Sequence, residues 1–146
     1  MRVVVQRVKW GRVLVDDKKI GEIGVGLVVL LGVHKDDSEE SAGYLAEKCV
    51  NLRIFRDEQQ KMNKSALDIQ AELLSISQFT LYGDCRRGRR PSFIEAADPE
   101  KGEFLYNRFN YWLKESKLKV ETGKFGAMMD LEFLNDGPVT LIIESK

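Results

Sequence analysis

Read as a pattern of apolar and polar positions, the chain opens on a hydrophobic run, Arg2 to Val8, with Gln6 and Arg7 set inside it. Trp10-Gly11 reads as a turn into Arg12 to Val15, where polar and apolar residues alternate, so the pattern predicts an N-terminal hairpin. Asp16-Asp17-Lys18 makes the next turn and Lys19 to Ile23 a short edge strand. Gly24 to Val33 is a continuous apolar run of the kind a central strand buries on both faces, and His34, the sole histidine, ends it at the surface. The period then changes. Asp37 with Glu40 has capping-box spacing, and Ala42, Leu45, Cys49 and Leu52 recur at helical intervals, which predicts a helix from Ser38 to Leu52 with one face on the sheet. Ile54-Phe55 resumes strand character, and Asp57 to Lys64, polar and aperiodic, predicts an exposed loop.

Leu73 to Asp84 has the aliphatic and aromatic character of a buried strand, yet Ser75, Ser77, Gln78 and Thr80 interrupt it, and each needs hydrogen-bond partners if buried. A half-exposed strand with an alternating polar face accounts for that composition, and so does a strand that presents polar groups to a ligand. Gly83 to Pro91 cannot be regular structure. Ser92, Phe93 and Ile94 return to packing, and Asp98-Pro99 predicts a helix start, an N-cap followed by a proline in the first turn. Leu105, Phe109, Trp112 and Leu113 mark the buried face of that helix. Leu118 to Thr122 is a short strand, Met129, Leu131 and Phe133 alternate with Asp130 and Glu132 as a half-buried one, and Val139 to Glu144 is the last. The link Asn135-Asp136-Gly137-Pro138 would be a two-residue hairpin loop but for the proline, which removes a donor and restricts Gly137.

The string of elements predicts a mixed, layered α/β fold: one domain over residues 1–146, its mostly antiparallel sheet covered by two main helices. Composition then narrows the function. With 23 basic and 23 acidic residues no global field drives the chain onto nucleic acid or membrane, so any RNA contact must be local. The one concentrated positive segment holds Arg86, Arg87, Arg89 and Arg90, whose guanidinium forks suit phosphate oxygens. A solvated loop accounts for the same charge. Two cysteines, Cys49 and Cys85, are too few for a disulfide framework and lack metal-ligand spacing. We expect no metal, no cofactor and no membrane span, and a cytoplasmic location, since Arg2, Gln6, Arg7 and Lys9 break any leader-like apolar run.

Five blocks, in order, resemble those of the D-aminoacyl-tRNA deacylases: Arg2 to Val8, Ser77-Gln78-Phe79-Thr80, Arg90-Pro91-Ser92-Phe93, Phe125-Gly126-Ala127 and Asn135 to Thr140. The chain departs from that pattern at Cys85 to Arg87, where the family more usually has a threonine and then a lysine before the glycine. The resemblance implies a homodimer that hydrolyses the ester joining a D-amino acid to the terminal adenosine of tRNA, with glycyl-tRNA also accepted. It implies that Ser77, Gln78, Phe79 and Thr80 line the catalytic pocket. It further implies that Gly137 and Pro138, joined by a cis bond, enter the other subunit's site as a chiral gate. Acyl-ester hydrolysis needs a nucleophile and an oxyanion site. No histidine, lysine or acid is placed by sequence to activate Thr80, so attack by water is expected; the resemblance implies that strand backbone N–H groups near Phe79 and Thr80 hold the oxyanion and that the ribose 2′-OH assists. The alternatives are a nucleophilic hydrolase using Thr80 or Cys85, and a non-enzymatic RNA-binding module built on the arginine loop.

Overall fold

The structure is a computed structural model and describes residues 1–145. Among the described residues, eight strands and three α-helices follow one another as β1 (Arg2–Val15), β2 (Lys18–Ile23), β3 (Gly26–Gly32), α1 (Glu39–Asn51), β4 (Phe55–Arg56), β5 (Met62–Lys64), α2 (Ala66–Ile69), β6 (Glu72–Ser77), α3 (Pro99–Glu115), β7 (Val120–Thr122) and β8 (Asp130–Glu144), with a 3-10 turn over Phe79–Tyr82. The main sheet runs β2-β1-β3-β6-β7, and β8 pairs with β1. Pairings with β1 are antiparallel, while β3–β6 and β6–β7 are parallel. Parallel neighbours require crossover connections. These contain α1 and α3, which is why the two long helices lie together on one face.

That face holds the larger core. Val3, Val5, Leu27, Val29, Leu31 and Leu73 from the strands meet Ala42, Leu45 and Cys49 of α1 and Leu105, Phe109 and Leu113 of α3. Alternate residues of the central strands, Val28, Leu74 and Ile76, point to the other face, where Val8, Val13, Ile23 and Phe133 cover them. Within the apolar run Gly24 to Val33, Gly26–Gly32 is therefore a central strand with two apolar faces, as its composition predicts, whereas Gly24 and Val25 before it are exposed. Helix α3 begins as expected: Asp98 caps it, accepting from the Lys101 N–H at 2.9 Å, and Pro99 follows in the first turn. The Asp16-Asp17 turn also holds, both residues having positive φ between Val15 and Lys18. Among the described residues no helix is long and apolar enough to cross a membrane.

Several expectations fail for identifiable reasons. There is no turn at Trp10-Gly11, because β1 continues through it; a Cβ on the buried Gly11 would stand 3.1 Å from Val28 Cγ2, so the glycine marks a close approach and not a reversal. The two C-terminal strands are one, β8, which runs through Asn135-Asp136-Gly137-Pro138 along β1. Asp37 does not cap α1; the N-cap is Ser38, whose hydroxyl donates to Glu40 and makes no capping bond to the backbone, and the Asp37 carboxylate instead accepts from the Met1 amino group and the His34 N–H. The segment from Asp57 contains β5, hairpinned onto β4 and followed by α2, so it is exposed but not structureless. Trp112, Phe93 and Ile94 are 42%, 37% and 77% exposed where packing was expected, and Tyr106 takes the place of Trp112 in the buried face of α3.

Candidate active site

The predicted strand from Leu73 stops at Ser77, the end of β6. Gln78 N–H donates to Leu31 O at 2.7 Å, and the chain then tightens into the 3-10 turn. Gly32 makes room for it, since a Cβ there would lie 3.0 Å from Leu81 Cβ. Arg2 Nη1 donates to Leu81 O at 2.8 Å and Gly83 N–H to Thr80 O at 2.9 Å, closing the turn from outside and within. A strand interior would have engaged the Phe79 and Thr80 N–H groups in the ladder. At the start of a 3-10 turn they are unpaired by geometry, and among the described residues neither has a hydrogen-bond acceptor. The expectation of strand donors is thus corrected: the donors are those of a helical start.

The two residues that carry these donors line a cavity of about 760 Å³ bounded by the ends of β3 and β6, the 3-10 turn, the first turns of α3 and residues 125–129. Ser77, Gln78, Phe79 and Thr80 all line it. The remaining wall is mainly apolar, with Phe93, Phe125 and Met129 contributing. The wall carries one acid and one phenol: the Asp98 carboxylate caps α3 through Oδ1, and Tyr106 donates to Ser75 O at 2.8 Å. Burial raises the Tyr106 phenol pKa, against the opposing pull of its hydrogen bonds to Asn110 and Ser75. Thr80 Oγ1 accepts from Gln78 Nε2, and no histidine lies on the wall. His34 is instead at the surface, hydrogen-bonded to Glu95 at 3.0 Å and packed against Tyr82. Among the described residues no three His, Cys, Asp or Glu side chains are grouped to hold a metal.

Gly137 and Pro138 lie elsewhere. Gln6 pairs with Thr140 and Val8 with Asn135, so Asp136 to Val139 bulges opposite the single residue Arg7. The Gly137–Pro138 bond is cis, both residues are exposed, and neither lines the cavity of its own chain. Under the bulge sits Arg7, only 2% exposed, with Nε 2.8 Å from Asp136 Oδ2 in a close ion pair not aligned as a hydrogen bond, and with Nη1 donating to Ile54 O. Sequence reasoning missed this pair, although a lone arginine in a run of valines with an acid beside Gly137 is its signature.

The arginine loop runs between Asp84 and Ser92, which exchange backbone hydrogen bonds at 2.8 and 3.0 Å, and it is followed at once by the cavity-lining Phe93. Arg86 folds back on Asp84, donating through Nε and Nη2 at 2.9 and 2.7 Å, and those bonds hold the Asp84 carboxyl at about 2. Arg87, Arg89 and Arg90 are exposed and have no salt-bridge or hydrogen-bond partner among the described residues. The four predicted arginines therefore split into one that is engaged and three that are free.

The family described as D-Tyr-tRNA(Tyr) deacylase matches residues 4–144. The chain belongs to that family. A D-aminoacyl-tRNA deacylase of Shouchella clausii (strain KSM-K16) is 58% identical over 146 residues, covering all of both chains, and one of Bacillus anthracis (strain CDC 684 / NRRL 3495) is equally similar over the same span. Among solved structures, the c-Myc DNA Unwinding Element Binding Protein superposes with a TM-score of 0.93 at 41% identity, covering 100% of this chain and 99% of that one. A probable eukaryotic D-amino acid tRNA deacylase shares the fold, with a TM-score of 0.86 at 21% identity over 98% of each chain. This deacylase-family chain is an enzyme, a hydrolase of D-aminoacyl-tRNA, which sets aside the binding-module alternative.

Proposed function

We propose that the enzyme cleaves D-aminoacyl and glycyl esters from tRNA by water attack, in a pocket completed by Gly137–Pro138 of a second copy. The observation that carries this reading is the pair of unpaired N–H groups on Phe79 and Thr80, two residues that line a cavity whose wall holds no histidine or lysine. Water adds to the ester carbonyl carbon, the two N–H groups receive the developing oxyanion, and the bond from that carbon to the ribose 3′-oxygen breaks. The neighbouring 2′-OH relays the proton to the leaving 3′-oxygen, so the products are free amino acid and tRNA. A Thr80 nucleophile is disfavoured, because its oxygen already accepts from Gln78 and nothing beside it takes the proton.

Chirality is a backbone problem, because D and L esters carry the same groups. A rigid wedge that hydrogen-bonds the α-amino group fixes Cα, so an L side chain points into protein whatever its identity, and glycine has nothing to reject. Gly137 and Pro138 suit a wedge acting in trans: they are exposed, absent from their own cavity, and continuous along β8 with exposed Leu141 and Ile142, the latter 68% exposed, on a strand that a homodimer would cover. A cytoplasmic location follows from a tRNA substrate. The test is deacylation of D-, L- and glycyl-tRNA across a dilution series. Activity on D- and glycyl-tRNA that falls in step with dissociation, with L-tRNA spared throughout, is expected; monomer with full chiral selectivity would refute the shared site.

A further inference from the structure

We infer that Phe79 and Phe93 form a stacking platform for the cytidine preceding the terminal adenosine, so that the enzyme holds the unpaired end of tRNA and not only its last nucleoside. This rests on the proposed pocket. Phe79 and Phe93 are 59% and 37% exposed, an unusual state for phenylalanine, and their rings meet edge to face with centroids 5.0 Å apart. Both line the cavity while staying partly open to solvent, and a Cβ on Gly83 would stand 2.9 Å from Phe93 Cε1, so the backbone of the turn holds one ring in place.

The occupant follows from charge and chemistry. Phe93 lies one residue beyond Ser92, where the loop bearing the free Arg87, Arg89 and Arg90 rejoins the fold. Aromatic faces beside guanidinium groups are the elements by which proteins bind single-stranded nucleic acid, the rings stacking on bases and the cations tracking phosphates. An adenosine ester inside the cavity leaves the next nucleotide outside it, beside the exposed rings of Phe79 and Phe93. Stacking tolerates any base, which fits a hydrolase acting on many tRNAs that share one unpaired terminus.

The experiment compares kcat/KM for D-tyrosyl-adenosine with that for the same ester on a cytidine-cytidine-adenosine trinucleotide. In the unaltered enzyme the trinucleotide is the better substrate. Phe93→Leu should shrink that ratio by roughly tenfold, the scale of one lost base–aromatic stack, while Phe93→Tyr, which keeps a ring, preserves it. Each ratio is internal to one protein, so partial loss of fold cancels. Independently, 2-aminopurine at the penultimate position of the non-acylated trinucleotide should be quenched on binding the unaltered enzyme. Equal ratios for the parent and Phe93→Leu, or an unquenched probe, would overturn the platform and assign the rings to a second subunit's cover; failure to cleave either substrate would instead refute the pocket itself.

Discussion

Removing the buried guanidinium beneath the bulge is the sharpest test of how the Gly137–Pro138 segment is held. Arg7→Met keeps length and apolar stem but deletes the charge. Arg7 is 2% exposed and its Asp136 partner 28% exposed, and the same head group satisfies Ile54 O. Breaking a buried pair from one side costs about 3 to 5 kcal/mol. Because Asp136 can regain part of its hydration, the lower end applies, about 3 kcal/mol, and with about 2 to 4 °C of Tm per kcal/mol for a chain near this size the midpoint should fall by about 10 °C. Denaturant melts of Arg7→Met, Asp136→Asn and the double variant form a cycle whose coupling should exceed about 1 kcal/mol. Deacylase activity, measured well below the variant's own midpoint, should also drop, because Asp136 adjoins Gly137. A stability loss under about 1 kcal/mol, the range of an exposed pair, would refute the anchor.

Thr80→Ala should lower turnover by about tenfold or less, in keeping with one lost hydrogen bond of about 1 to 1.5 kcal/mol; complete loss, with an acyl-Thr80 species trapped in the parent, would sink the water mechanism. Replacing Arg87, Arg89 and Arg90 with glutamine should reduce the slope of log affinity for tRNA against log salt by about 2, at about 0.7 per phosphate on a single strand, whereas Arg86→Gln, whose charge is already engaged by Asp84, should change it less. A thiol reagent should label exposed Cys85 in the native protein and reach Cys49 only on unfolding, since burial pushes the Cys49 thiol up to about 12. Burial also raises the Tyr82 phenol to about 12. Groups whose folded pKa is raised contribute stability that is fully present below their unfolded values and is lost as pH rises toward the folded ones. Stability should accordingly decline between about pH 9 and 12, and Cys49→Ala should flatten the lower part of that decline.

Local chemistry settled the parts of this protein that depend on near neighbours in the chain. The apolar run ending at Val33, the buried face of the first helix, the Asp16-Asp17 turn and the Asp98-Pro99 helix start all follow from residues within a few positions of one another, and each forms as read. The motif residues Ser77 to Thr80 were legible too, as polar groups where a buried strand excludes them. Only tertiary structure decided that β6 ends at Ser77, because what ends it is Gly32 and Arg2 receiving the 3-10 turn, contacts 40 or more residues away in sequence. Freedom of the Phe79 and Thr80 N–H groups is a consequence of that ending. The continuity of β1 through Gly11 and of β8 through Pro138 was equally hidden: a glycine or proline in isolation reads as a stop, and only a packed neighbour at 3.1 Å, or a facing strand that bulges around Arg7, turns it into a fitted position. Arg7 makes the same point for charge, since a cation among valines is costly to bury until an acid more than a hundred residues later meets it.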